Sequence, residues 1–333
     1  MKPLPTRVAS ATVLAAALSL AACTSPTEVA DDLAQNMGSA SPVASPPTTD
    51  PDGEVIAFAP VRDLDTTGDL VAVRTDDAVH VGTVEQLRNN TAVTYPTDAS
   101  CGEVSANAGT FALACGSQVR LFDASGETTL EVEEPATAAV VTSSGEVVTA
   151  SDAQRKVWVY RDGKKVDTIS VARETDQLIA MQLPDQDDAV VRINRFDTTI
   201  QDVDWSGGRQ GGTLRVGLGV GKIDGTDGVV LAADATGSQL FVYNTMDIIR
   251  LHQTAPVAQG PWDVTWDAAN KLAWITSTAD NTATGYDLSG GVPAQKAQVA
   301  TVADPQSIIS LDDATLIIAS ATGDGIQIVK ETL

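Results

Sequence analysis

The chain has 333 residues, room for one large domain or two ordinary ones, and its 43% hydrophobic content can bury a sizeable core, which excludes global disorder. Its 21 Lys and Arg against 44 Asp and Glu leave a net charge of −23. That balance argues against nucleic acid, whose binding needs a positive surface, and against electrostatic attachment to anionic lipid. Two histidines, His80 and His252, and three cysteines, Cys23, Cys101 and Cys115, leave little material for histidine-rich metal sites or histidine-based catalysis.

Residues 1–22 carry Lys2 and Arg7 and then an apolar run from Val8 to Ala22. This layout predicts a secretory signal peptide, because the run is too short and wrongly flanked for a good membrane span. It ends in Leu20-Ala21-Ala22-Cys23, where the chain resembles bacterial lipoprotein precursors. In that family the cysteine is diacylated and the signal is cut just before it. An ordinary signal with a chance cysteine would leave the small residues ahead of Cys23 unexplained. The resemblance implies lipidation at Cys23, and two acyl chains supply the double anchor that stable attachment requires. It also implies a protein held on the extracytoplasmic face of the cell membrane. Loss of residues 1–22 takes Lys2 and Arg7 with it and leaves a charge of −25. Residues 23–53 then form the lipidated, flexible tether: they are rich in Pro, Ser, Thr, Ala and Asp and have no sustained apolar period. Their Ser, Thr and Pro content would permit O-glycosylation.

From residue 54 onward short apolar runs recur. One series is Leu70–Thr75, Thr110–Cys115, Glu146–Ser151, Ala189–Asn194, Val229–Asp234, Leu272–Ser277 and Thr315–Ser320, with starts 36 to 43 residues apart. A second series trails it by 8 to 12 residues, from Ala78, Gln118, Lys156, Gln201, Gln239, Thr282 and Ile326. Turn formers such as Asp76-Asp77, Asp152, Thr236-Gly237 and Asp280-Asn281 lie between the two. A further run precedes each pair and a fourth follows most of them. Four strands in about 40 residues is the signature of a β-propeller blade, and seven units predict an all-β, seven-bladed propeller over 54–333. A sandwich pair lacks such a period, and a β-helix repeats on shorter coils. The seventh unit stops after its third strand, while Glu54–Pro60 is a strand with no blade of its own. The expectation is that 54–60 completes the last blade and closes the ring, removing an exposed edge.

The sixth unit carries Gly260-Pro261-Trp262-Asp263-Val264, Leu272-Ala273-Trp274-Ile275-Thr276, Asp280-Asn281-Thr282 and Tyr286-Asp287-Leu288. It resembles the bacterial YVTN-type propeller repeat, strongly in this blade and more dilutely in the others. Over the whole chain, the cysteine-terminated signal and the acidic seven-unit body are similar to LppL-like propeller lipoproteins of actinobacteria. That resemblance implies a location and a fold more than an activity. The chain lacks the Trp-docking repeat of quinone-binding propellers and a regular set of Trp-Asp dipeptides.

Cys101 and Cys115 flank a predicted hairpin with its turn centred on Ala108, which sets the two cysteines directly opposite each other and within disulfide reach. An oxidising compartment favours the bond over two buried thiols. Among candidate chemistry, Asp224-Gly225-Thr226-Asp227-Gly228 has carboxylates that a calcium ion would take, but not the alternating ligands and terminal Glu of an EF-hand. It falls where a turn between first and second strands is needed, as do Asp185, Asp187, Asp188 and Asp312-Asp313. No metal ligand set and no cofactor is predicted, although the composition permits a divalent cation. His80 and His252 fall in strands, and no Gly-x-Ser-x-Gly elbow exists. Catalytic residues therefore stay unassigned.

Propeller geometry gathers the connections between second and third strands, and those between blades, on one face around the central channel. The loop Asn194–Thr199 is the most substituted of these, with Arg195, Phe196 and Asp197 offering an aromatic and both charge signs. Arg155 and Trp262 are expected to open onto the same face, where the arginines could receive an anionic group. Two functions follow. One is a binding or scaffold module for an envelope protein or glycan, with no nucleic-acid partner. The other is a propeller hydrolase, lactonase or lyase with carboxylates from several blades holding a divalent ion at the channel mouth. The shortage of catalytic side chains favours the first, since the fold alone licenses no activity.

Overall fold

The structure is a computed structural model and describes residues 38–48 and 50–330. The expected signal segment, Cys23 and the first part of the tether lie outside the described residues. The rest is a seven-bladed β-propeller: six four-stranded antiparallel sheets and one recorded as three-stranded. From blade 1 to blade 7 the innermost strands are Asp63–Thr67, Val104–Asn107, Ala138–Val141, Gln177–Leu183, Val220–Thr226, Pro261–Asp267 and Pro305–Ser310. In blade 2 the second and third strands are contiguous within Thr110–Asp123: residues 110–113 pair with the inner strand and residues 118–123 with the outer one, and Gly116 has φ +64.

The core is distributed. Seven apolar clusters occupy the seven seams between neighbouring blades. The local reason is visible in the second strand of blade 5, Val229–Asp234. Val230 and Ala232 point into the seam with blade 4, and Leu231 and Ala233 into the seam with blade 6. Alternating side chains on a strand covered on both faces demand an unbroken apolar run. Burying one such side chain contributes about 1.5–3 kcal/mol, so each seam is held by many of them.

The ring closes as expected, with a shorter strand. Glu54–Ile56 pairs antiparallel with Ile326–Ile328 to form the outer strand of blade 7; residues 57–60 leave the ladder, and Phe58 packs into the seam between blades 7 and 1. One element was not expected. Helix α1, Val84–Arg88, connects the third and fourth strands of blade 1. Thr83 and Gln86 form a reciprocal capping box at its start, and Leu87 drops into the same seam.

The tether is not free over its whole length. Residues 40–48 run across the face that carries the links between blades, from Ala40 beside Gly219 of blade 5 to Ser45 at blade 7. Ser45 Oγ donates to the Thr278 carbonyl (2.6 Å) and accepts from the Asp304 amide (2.7 Å), while its own amide donates to Asp304 Oδ1 (3.1 Å). Asn281 Nδ2 donates to the Pro46 carbonyl at 2.7 Å, and Thr48 Oγ1 to the Thr301 carbonyl at 2.7 Å. Asp52 then exchanges hydrogen bonds with Ala300 and accepts one from Gln327. The expectation of a flexible spacer through residue 53 is corrected for this strap. Composition shows only that a segment cannot bury itself; it does not show that the surface beneath offers partners for its hydroxyls and carbonyls.

Candidate functional site

Inner strands of neighbouring blades splay apart, so their backbone groups need partners other than a continuous ladder. Side chains pointing into the channel supply them. Asp63 accepts from the Val104 amide (2.9 Å), Ser105 donates to the Ala139 carbonyl (2.6 Å), and Asp263 accepts from the Ile308 amide (3.0 Å). Gln177 makes both bonds to the backbone of Ile223 at 3.0 Å. Each bridge staples one blade to the next.

The carboxylates used this way are buried, and a buried charge needs a counter-charge. Lys222, on the inner strand of blade 5, provides it. Its ammonium reaches Asp63 Oδ1 at 2.5 Å, Ser307 Oγ at 3.2 Å and Asp263 Oδ2 at 3.8 Å, with about 4% of the lysine side chain exposed. Burial pushes the Asp63 carboxyl up to about 6 and the Asp263 carboxyl up to about 7, with Lys222 opposing both shifts. Lys222 itself is held above its ordinary range: burial works against its charge, and the carboxylates of Asp63, Asp263 and Glu103 outweigh burial. Further along the channel, burial raises Asp65 and Asp224, and the charge of Asp224 raises Asp65 further. The channel cavity holds about 200 Å³, space for several waters and below the volume of an ordinary ligand pocket.

Carboxylates from blades 1 and 6, Asp63 and Asp263, do converge, as the hydrolase alternative required. They converge on the Lys222 ammonium, which already lies within 4 Å of both. Among the described residues no group of three or more metal-ligating side chains is assembled. The Asp224 turn is also corrected: Asp224, Gly225 and Thr226 belong to the inner strand, and the turn is Asp227-Gly228, with φ of +48° and +79°. Asp188 is likewise a buried staple and not a turn residue, accepting from Asn107 Nδ2 and from the Ser143 amide and hydroxyl, each at 2.6 Å.

The predicted face residues fare differently from one another. Arg195 is no free anion receptor. It reaches across the mouth to Glu103 Oε1 of blade 2 (3.1 Å) and donates to the Gly221 carbonyl (3.0 Å). Arg155 is half-exposed but paired with Glu174 at 2.9 Å, and Asp197 is paired with Arg173. Trp262, expected on the open face, is buried, its backbone packed where Gly221 leaves no room for a side chain. Phe196 alone is open, 68% exposed at the tip of the blade 4 loop. Around the mouth the structure thus brings together one exposed aromatic and ion pairs of both signs.

The Cys101–Cys115 disulfide is present, with Cα atoms 4.3 Å apart. The register behind the expectation was one residue off. The hairpin turns on two residues, Ala108-Gly109, so Val104 pairs with Leu113 and Asn107 with Thr110. Cys101 lies ahead of the strand, which begins at Val104, and meets Cys115 from there and not from a ladder position. Its carbonyl accepts from the buried Arg74 guanidinium at 3.3 Å.

No family model matches the chain, and no curated protein matches it in sequence. Solved structures do. The β-propeller domain of Myceliophteria thermophila Cps50 (Swd1) gives a TM-score of 0.67 at 11% identity, covering 85% of this chain and 99% of that one. A chain of Kuenenia stuttgartiensis hydrazine synthase gives 0.65 at 11% identity with the same coverage. The WD40 propeller of Doa1 gives 0.58 at 14% identity, covering 87% and 97%. At such identities the likeness reaches the architecture and stops there: the chain is a seven-bladed β-propeller.

Proposed function

We propose that this protein is a lipid-anchored, extracytoplasmic β-propeller that acts as a binding or scaffold module in the cell envelope, meeting an envelope protein or glycan with its channel-mouth face. The observation that carries the reading is the contrast between channel and rim. Inside, Lys222 is held between Asp63 and Asp263 and the cavity is small. At the rim, Phe196 stands exposed among the pairs Arg173–Asp197 and Arg155–Glu174. Exposed aromatics ringed by charges of both signs are the usual anchors of protein recognition. The anchor rests on the Leu20–Cys23 motif and on the resemblance to LppL-like lipoproteins. The disulfide supports an oxidising location, since cytosolic thiols are kept reduced.

A photo-reactive residue at position 196 in intact cells tests the face. An adduct from 196 that is lost in an Arg155→Ala, Asp197→Ala background supports it; an adduct pattern identical from a far-face position such as 292 refutes it. Cys23→Ala tests the anchor by releasing the protein from the membrane, and a variant still extracted only by detergent refutes it.

A further inference from the structure

The seam between blades 5 and 6 is not filled to its end. On the face opposite the channel mouth, where the turns between first and second strands lie, Val229, Trp266 and Leu288 pack against the seam cluster and stay only partly buried. Val229 opens the second strand of blade 5. Trp266 and the buried Leu272 stand on either side of the first turn of blade 6, and Leu288 follows its third strand. Together they line a cleft of about 780 Å³, against about 200 Å³ for the channel cavity. The larger volume is that of an ordinary small-molecule pocket. Its walls are fixed by hydrogen bonds within the protein. Gln253 Nε2 donates to the Leu288 carbonyl at 2.9 Å, and the Asn270 amide and Nδ2 both donate to Asp267 at 2.9 Å, which pins the turn that carries Lys271.

Charge is distributed unevenly here. The chain carries −23 overall, yet two of its eight lysines, Lys271 and Lys296, stand at this cleft. Asp287 is the one carboxylate among the lining residues. It accepts from the Ser289 amide at 2.8 Å and lies 4.0 Å from Lys296. Lys271 is exposed and has no carboxylate partner among the described residues. Two lysines against one aspartate leave a single unmatched positive charge beside an apolar wall.

We propose that this cleft binds a small amphipathic anion: one carboxylate on an aromatic or branched apolar body, with the body against Trp266, Leu272 and Leu288 and the carboxylate at Lys271. A wholly polar ligand would leave the apolar wall in water, and a cation would meet the unmatched lysine. A monoanion matches the surplus of one charge. The proposal stands apart from the mouth-face reading, since the two sites lie on opposite faces of the propeller.

The test titrates the full chain by calorimetry with naphthoate and with its neutral counterpart, naphthamide. Naphthoate should bind about three- to fivefold tighter, the preference that one exposed charge pair supplies. Lys271→Met removes an exposed cation and no packing, so it should erase that preference and leave the affinity for naphthamide unchanged. Val229→Phe fills the cleft and should abolish binding of both probes, with thermal unfolding run beside it to show that the variant is folded. Should it not fold, Lys271→Met decides alone. Equal affinity of the wild type for the two probes overturns the anionic class. Absence of binding up to about 1 mM overturns the site, and so does undiminished binding by a folded Val229→Phe protein. Self-association that Leu288→Asp abolishes would give the cleft to a second copy and overturn the small-molecule reading.

Discussion

Replacing Lys222 with Met leaves Asp63 and Asp263 buried with no ammonium between them. Breaking a buried ion pair from one side costs about 3–5 kcal/mol, because the surviving charge has lost both water and partner. For a domain of this size that is a drop in melting temperature of roughly 6–20 °C at pH 7.5. The pH dependence is the sharper signature. Asp63 and Asp263 are acids raised to about 6 and about 7, so between the ordinary carboxylate range and those values the folded protein holds protons that the unfolded chain has released. Their contribution to stability therefore falls as pH rises through that window. Without Lys222 both carboxyls rise further, and the folded variant stays protonated where the wild type has ionised. The deficit should widen by about 2–3 kcal/mol between pH 5 and pH 7.5. Thermal and urea unfolding of both proteins at the two pH values measure it. A second variant, Lys222→Met with Asp63→Asn and Asp263→Asn, removes the charges together and should recover most of the loss at pH 7.5. An equal deficit at both pH values, or none, would show that the channel charges are hydrated and the ion-pair reasoning is wrong.

Cys101→Ser should lower stability by about 3 kcal/mol, the chain-entropy value for a loop of this size, and a reductant should bring the wild type to the same melting point; a variant indistinguishable from the oxidised wild type counts against it. A chain starting at residue 62 loses the closing strand, and its melting temperature should fall sharply; an unchanged value would mean that blade 7 stands on three strands. Glu146 is opposed by burial, but bonds from Ser144, Arg161 and Thr142 win and lower its carboxyl to about 2. Its contribution is thus present above pH ~4.5 and lost as pH falls toward 2, so Glu146→Gln should flatten acid unfolding across that range.

The blades were legible because two periods coincide in the sequence: alternating apolar strands within a unit and turn residues between units. Closure was legible for a related reason, a surplus strand at one end and a blade one strand short at the other. The channel network was not. Asp63, Lys222 and Asp263 come from three different blades, 159 residues separating the first two. Only aligning the seven innermost strands would have set them around one axis. The rim was half legible. Loop position puts Arg195 between the second and third strands of blade 4, but the carboxylate that claims it, Glu103, lies 92 residues away in another blade. In sequence Asp188 shares a run of aspartates with Asp185 and Asp187, which suggests a turn; what buries it, Asn107 and Ser143, belongs to other blades.

The closing strand also sets a timetable. Asp52 meets Gln327 across 275 residues, and Glu54 cannot find Ile328 until every blade between them has left the ribosome. Blades 1 to 6 can collapse seam by seam as they emerge, since each needs only its neighbour. The seam between blades 7 and 1 has to wait, with strand edges unpaired at both ends of an open arc. Loop-closure entropy grows only slowly with length, so the final join is not thermodynamically expensive. It is late, and contacts distant in sequence form slowly. An open arc with two free edges is the species most exposed to aggregation or to pairing with a second copy, so the interval before closure is where folding factors would matter most to this protein.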